Sequence, residues 1–146
     1  MKTADVIIVG SGASGLFNAL FLPQDYKVIV ITKKEVEESD SFLAQGGICV
    51  QRDDNDYDSY FEDTMKAGHY ENRKESVDIM IRFSREIIED LVSYGVEFEK
   101  KDGEFVYTRE GAHSKPRILY HEDITGQEIT SCLLYTSPSP RDLSTS

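Results

Sequence analysis

Basic residues, cysteine and long apolar runs are all scarce in this chain, and each shortage closes off a class of function. Only 16 lysines and arginines stand against 27 aspartates and glutamates, a net charge of −11. Nucleic acid and anionic membranes are bound by basic surface, so neither is an expected partner. Two cysteines, Cys49 and Cys132, allow no disulfide framework and show no metal-ligand spacing, so no metal is expected and a reducing cytoplasm is the expected compartment. No run of about 18 apolar residues exists, so no transmembrane helix is expected, and the N-terminus lacks the pattern of a signal peptide. A length of 146 residues suggests one domain, long enough for a real core.

What the chain does have begins at Val6-Ile7-Ile8-Val9, a β-branched run that reads as a buried parallel strand. It feeds directly into Gly10-Ser11-Gly12-Ala13-Ser14-Gly15. In such a turn the first glycine permits the bend and the second lets backbone approach a pyrophosphate. The third lets the next helix pack close to the strand. A helix from Ala13 to about Leu22 would aim its N-terminal N–H groups at the phosphates, and Pro23 would stop it. Lys27 to Thr32 supplies a second strand and completes a βαβ unit. A dinucleotide site is favoured over a purely structural turn. Where many such folds carry an acidic residue for the adenosine ribose, this chain reads Thr32-Lys33-Lys34, which argues mildly against a standard NAD site and leaves room for a flavin.

Beyond a polar loop from Glu35 to Ser41, the segment Phe42-Leu43-Ala44-Gln45-Gly46-Gly47-Ile48 is compact and apolar, with a double glycine. Two adjacent glycines suit either backbone lying flat against a planar ligand or a tight turn, and spacing does not choose between them. Asp53 to Asp56 reads as a solvated loop that caps a helix from Asp58 to about Gly68. A longer helix is predicted from Lys74 to Tyr94, with Val77, Met80, Ile81, Ile87, Ile88, Leu91 and Val92 at three- and four-residue steps and Gly95 as its stop. Val96–Glu99 and Glu104–Tyr107 alternate around Lys101-Asp102-Gly103, a hairpin signal. Then Thr108-Arg109-Glu110-Gly111-Ala112-His113-Ser114, Arg117 and His121-Glu122-Asp123-Ile124-Thr125-Gly126 gather arginine, carboxylates and histidines. Such a mixture suits a small charged substrate, although composition alone favours a solvated loop.

Taken together, in this order and at these distances, Ile8–Gly15, Ser41–Ile48, Thr108–Ser114 and His121–Gly126 resemble the L-aspartate oxidases. These are a branch of the flavoprotein family that includes succinate dehydrogenase and fumarate reductase. The resemblance extends from about Asp5 to Ser131. It implies a Rossmann-like FAD-binding α/β fold with added helices and a β-hairpin, and FAD as cofactor. Gly10, Ser11, Gly12, Ala13, Ser14 and Gly15 would hold the pyrophosphate, with Lys33 near the adenosine half. Ser41, Phe42, Leu43, Ala44, Gln45, Gly46 and Gly47 would lie along the flavin. Asp40 stands where respiratory members carry a flavin-linking histidine, which implies non-covalent FAD. Glu110 replaces an apolar residue of those enzymes and would orient the amino group of L-aspartate, with His113 and Ser114 behind it. The implied reaction is oxidation of L-aspartate to iminoaspartate, with oxygen or fumarate as acceptor and quinolinate synthase downstream in NAD biosynthesis. A fumarate- or succinate-linked flavoprotein is the nearest alternative, and a non-catalytic nucleotide-binding module is another.

From Cys132 the sequence changes. Cys132 to Asp142 has no apolar period and resembles the translation of a transposase-type sequencing adapter. Residues 132–146 are therefore expected to be non-native and disordered. Residues 1–131 would be the N-terminal part of an incomplete FAD-binding domain, with little or no turnover.

Overall fold

Val6–Val9 (β1) and Val28–Ile31 (β2) lie side by side as parallel strands, Val6 opposite Val28 and Val9 opposite Ile31. Parallel pairing needs a crossover, and Ala13–Phe21 (α1) provides it. In this computed structural model, which describes residues 3–137, the βαβ unit expected from the sequence is formed. Gly15 is the residue that lets α1 lie so close. A Cβ there would overlap the carbonyl oxygen of Gly10 and reach 3.5 Å from Ile8 Cγ2, so α1 covers the Ile8 face of the strands.

A short helix, Asp40–Leu43 (α2), is capped by Ser39, whose hydroxyl accepts from the Phe42 N–H at 3.2 Å. Ile48–Cys49 (β3) follows. Asp53 then caps a 3-10 turn by accepting from the Asn55 N–H at 2.8 Å, as the acidic loop suggested. That turn opens Tyr57–Ala67 (α3), and Lys74–Ser93 (α4) packs against it. On α4 the buried positions are Val77, Ile81, Ser84, Ile88 and Leu91, a four-three-four-three spacing that keeps one face inward. Met80, expected inside, is 45% exposed because it lies off that stripe.

Lys100–Lys101 (β4) and Glu104–Phe105 (β5) form the hairpin, with Asp102 at φ 54° and Gly103 at φ 88°. Two positive φ values in a two-residue loop match strand twist. The hairpin is shorter than its sequence pattern. Val96 and Phe98 are buried in the core instead of pairing within it; Glu99 still accepts from the Val106 N–H at 2.9 Å, but its own N–H reaches the Tyr120 carbonyl at 2.9 Å. Ile118–Leu119 (β6) pairs antiparallel with β3, and on its other side Ile118 exchanges two backbone hydrogen bonds with Thr108, just past the hairpin.

Thr125–Thr136 (α5) closes the described chain, and it corrects the expectation of disorder from Cys132. Cys132 to Thr136 are its last turns. Ile129 and Leu133, four residues apart, are buried against Leu16, Leu91, Val96, Phe98 and Leu119, so an apolar period does cross Ser131. Residues 138–146 of that segment lie outside the described residues. No helix among the described residues is long and apolar enough to cross a membrane.

Candidate functional site

The glycine turn is held open by its neighbours. The Gly10 N–H donates to the Ile31 carbonyl at 2.8 Å, and Ser11 Oγ donates to Thr32 Oγ1 at 2.8 Å. Thr32 Oγ1 in turn donates to the Lys34 carbonyl at 2.7 Å. This relay ties the end of β1 to the end of β2. It also engages the Ser11 hydroxyl, which leaves Ser11 its backbone N–H for a ligand. Lys33 is exposed one residue beyond. Gly12 caps α1 without a side-chain hydrogen bond, and no acidic residue stands in the first helical turn. An uncapped helix N-terminus with no local carboxylate suits a bound phosphate.

Ser41 joins this turn to the second motif. A Cβ at Gly12 would fall 2.8 Å from Ser41 Oγ, so the serine stands directly over the turn. Leu43 to Gly47 are all exposed, a strip of small or flexible residues beginning beside the glycine turn. Gly47 is required for packing: a Cβ there would collide with Ile118 Cγ2 and the Leu119 carbonyl of β6. Gly46 faces the other way, and its Cβ position lies 3.3 Å from Glu110 Oε2. The Gly126 N–H donates to the Ala44 carbonyl at 2.9 Å, and Gln45 Nε2 lies 3.5 Å from Asp123 Oδ2. All four sequence motifs thus converge on residues 41–47. The uncapped N–H groups and the exposed strip beside them fit a dinucleotide with a planar ring.

His113 and Ser114 belong to a different, buried constellation centred on Arg117, which has no exposed surface. Arg117 Nε donates to Asp56 Oδ2 at 3.2 Å and Nη2 to Asp56 Oδ1 at 2.8 Å, a two-point fork. Nη2 also donates to Ser59 Oγ at 3.0 Å, and Nη1 to Asp63 Oδ2 at 2.6 Å and His113 Nδ1 at 3.1 Å. All five guanidinium N–H groups are therefore engaged. Arg117 has none left for a substrate and serves as a structural anchor. Asp63 Oδ2 also accepts from the backbone N–H and the hydroxyl of Ser114, each at 2.7 Å, which fixes the loop carrying Glu110.

Arginine only donates, so His113 Nδ1 accepts and its proton sits on Nε2, facing Cys49 Sγ at 3.1 Å. Burial and the adjacent Arg117 charge both lower the His113 pKa, keeping the ring neutral. Burial raises the Cys49 thiol, so it is not a ready nucleophile. Burial also works against the Asp56 and Asp63 carboxylates. Hydrogen bonds from Arg117, Ser59, Ser114 and the Arg52 and Ser114 backbone outweigh it and hold both below the usual range.

All three lowered values have the same sign for stability. Each group binds protons more readily unfolded than folded, so its contribution is complete above the unfolded pKa and is lost as pH falls. Urea midpoints should decline first below the ordinary histidine value of 6.5, through His113. A second decline should begin below 3.8, through Asp56 and Asp63. A His113→Phe chain should lose the upper step and keep the lower one. A flat profile for the unaltered chain between about pH 7.5 and 5 would contradict a locked neutral His113.

Sequence alone assigns no site role to Asp56, Asp63, Tyr60 or Cys49. A signal was available: Asp56, Ser59, Tyr60 and Asp63 fall at i, i+3, i+4 and i+7, one face of α3 and its entry turn. What they meet is remote in sequence. Arg117 also stacks on Tyr60, 4.9 Å from its ring centre.

Comparison with known proteins agrees with this arrangement. The model of the FAD binding domain family matches residues 5–140. The chain is 46% identical over 133 residues to the L-aspartate oxidase of Clostridium perfringens, covering 91% of this chain and 30% of that protein. It is 43% identical over 130 residues to that of Clostridium acetobutylicum, with coverages of 88% and 30%. Among solved structures, the quinol fumarate reductase chain FrdA of E. coli superposes with a TM-score of 0.85 at 27% identity. That superposition covers 92% of this chain and 24% of FrdA. The chain thus spans about a third or less of the length of these relatives. On the family match and the converging motifs, this chain belongs to the FAD-binding domain family.

Proposed function

We propose that this chain is the FAD-binding portion of an L-aspartate-oxidising flavoenzyme, Rossmann-like in its first βαβ unit. The observation that carries the substrate assignment is the Glu110 carboxylate beside Gly46, on the exposed strip that Ser41 joins to the glycine turn. When bound, FAD would supply the hydride acceptor for Cα of L-aspartate, yielding iminoaspartate, with oxygen or fumarate as final acceptor.

The chain's own residues bind and orient. The free N–H groups at the start of α1 and the Gly12–Ser41 contact would receive the pyrophosphate. Lys33 would stand near the adenosine half. Residues 41–47 would back the ring. Asp40 provides no imidazole for covalent attachment, so the flavin would be held non-covalently. Glu110 would meet the substrate ammonium, an attraction that a dicarboxylate lacking an amino group would experience as repulsion. That difference favours aspartate over succinate or fumarate as the oxidised substrate. His113 and Ser114 would act behind Glu110, through the Asp63–Arg117 anchor that sets their loop. Iminoaspartate would pass to quinolinate synthase.

Flavin content tests the reading. Purified chain supplied with FAD should retain it and release it, unmodified, on acid denaturation. Adding L-aspartate should perturb the flavin absorbance without sustained turnover. Glu110→Gln should weaken that perturbation by about tenfold, equivalent to one lost charge-assisted contact, while FAD retention stays the same. A chain that binds no FAD would favour a non-catalytic module. Equal responses to aspartate and succinate in both proteins would favour the fumarate-reductase-like alternative.

A further inference from the structure

The Glu110 side chain is exposed and, among the described residues, takes part in no hydrogen bond or ion pair. Its backbone therefore decides where the carboxylate stands beside Gly46. That backbone opens a four-residue turn, in which the His113 N–H donates to the Glu110 carbonyl at 3.3 Å and Gly111 takes φ 52°. The turn belongs to a loop whose ends are closed by the paired backbone hydrogen bonds of Thr108 and Ile118, at 2.9 and 3.1 Å. Residues 109–117 between them form no helix or strand, so side-chain contacts must set their path.

Three of those contacts converge on one atom of α3. Asp63 Oδ2 accepts from the Ser114 N–H and hydroxyl at 2.7 Å each, and from Arg117 Nη1 at 2.6 Å. Arg117 Nη1 also donates to His113 Nδ1 at 3.1 Å. The residue that ends the Glu110 turn and the one that follows it are thus both tied to Asp63, Ser114 directly and His113 through the guanidinium. The other ties are weaker or lie farther along the loop. Cys49 meets His113 with a thiol, a poor hydrogen-bonding group, and Arg52 reaches only the Pro116 carbonyl, at 3.5 Å. Asp56 and Ser59 grip Arg117 and make no hydrogen bond to residues 109–114. Asp63 is therefore separable from the anchor, because Arg117 keeps its two-point fork to Asp56 without it.

We propose that Asp63 is a positioning residue for substrate selectivity: by holding Ser114 and His113 it keeps the Glu110 carboxylate where an amino acid is favoured over a dicarboxylate without an amino group. The role rests on the proposed meeting of Glu110 with the substrate ammonium. Asp63 itself touches no substrate and acts through the loop. A carboxylate free to swing would remain solvated, losing both its attraction for an ammonium and its repulsion of a second carboxylate. A charge discriminates when it is held in place before the ligand arrives. Bonds to an ionised oxygen suit that task, since they are shorter and roughly twice as strong as neutral ones.

The test uses the full chain with FAD and compares the concentrations of L-aspartate and of succinate that perturb the flavin absorbance. Their ratio is the selectivity. Asp63→Ala should reduce it by about tenfold, equivalent to one charge-assisted contact, with FAD retention unchanged. Asp63→Asn should recover most of it, because an amide oxygen can replace Oδ2 and the other carboxylate oxygen has no hydrogen-bond partner among the described residues. In a Glu110→Gln background, Asp63→Ala should change the selectivity by less than about twofold, a non-additivity that a merely structural role would not produce. Hydrogen exchange gives a readout without flavin. The Gly111, Ala112 and Ser114 amides should exchange at least about tenfold faster in Asp63→Ala, relative to those of α4. Loop amides as protected as in the unaltered chain would overturn the proposal. So would an Asp63→Ala chain that keeps its selectivity, or an equal loss in the Glu110→Gln background. An unaltered chain with no flavin response, or an equal one to both acids, refutes the reading of Glu110 and the Asp63 role with it. A selective response indifferent to Asp63 refutes the Asp63 role alone.

Discussion

Replacing Arg117 with alanine is expected to cost roughly 3–5 kcal/mol of folding stability, the range for breaking a buried ion pair from one side. Against a total of about 5–15 kcal/mol for a domain, that removes at least about a fifth of the margin and, for a marginal domain, all of it. The cost comes from what is left behind. Asp56 is 2% exposed, and its carboxylate would keep only the Arg52 backbone N–H, the Ser59 hydroxyl and a distant Lys115 ammonium at 3.8 Å. Asp63 and the Nδ1 atom of His113 would lose partners in the same step. Arg117→Lys should recover little, because one ammonium cannot reproduce a fork that serves two carboxylates, a serine and an imidazole. Adding Asp56→Ala to Arg117→Ala should restore part of the loss by deleting the stranded charge, a non-additivity that a double-mutant cycle would register. Urea unfolding of the four chains measures it. An Arg117→Ala chain within about 1 kcal/mol of the parent would refute the anchor role.

That anchor also explains which parts of the structure sequence alone could reveal. β1, the glycine turn, α1 and β2 were legible because each signal is local: a β-branched run, glycines at fixed offsets, a proline stop. The buried stripe of α4 and the Asp102–Gly103 turn were legible for the same reason. Failures fell where a distant partner decides. Val96 and Phe98 alternate like hairpin strand, yet the core that holds Leu119 and Ile129 takes them in, and Glu99 keeps its hairpin bond from Val106 while turning its own N–H to Tyr120. α5 is hard to read because only Ile129 and Leu133 mark its buried face and a Ser/Pro-rich stretch follows directly. Spacing alone does not choose between the two readings of the double glycine, and the family resemblance puts both glycines along the flavin. The answer differs for each residue, with Gly47 pressed against β6 and Gly46 facing Glu110. No local rule distinguishes two neighbouring glycines when the surfaces they meet are about 60–70 residues away in sequence, although the i, i+3, i+4, i+7 face of α3 shows that half of a remote contact can still be read.

Gly126 is where the remote contacts meet residues 41–47, the strip proposed to back the flavin, so Gly126→Ala should separate folding from cofactor binding. Its Cβ would overlap the Ser41 carbonyl oxygen and stand 2.6 Å from that of Ala44. Both neighbours are backbone and cannot rotate away. Either α5 retreats or residues 41–44 move outward, and in each case the 2.9 Å hydrogen bond from the Gly126 N–H to Ala44 is stretched or lost. Retreat of α5 is resisted by Ile129 and Leu133, which are buried in the main core. Residues 43–47 are exposed and have less to hold them, so the displacement should fall on the strip. Overpacking of this kind costs roughly 1–3 kcal/mol, which a domain can survive. The expected result is a chain with unchanged helix content, a lower urea midpoint and at least about tenfold weaker FAD retention, since a loss of about 1.4 kcal/mol at the proposed flavin strip would suffice. A lower midpoint with FAD retention intact would instead mean that α5 had moved and that residues 41–44 are held more firmly than their exposure suggests.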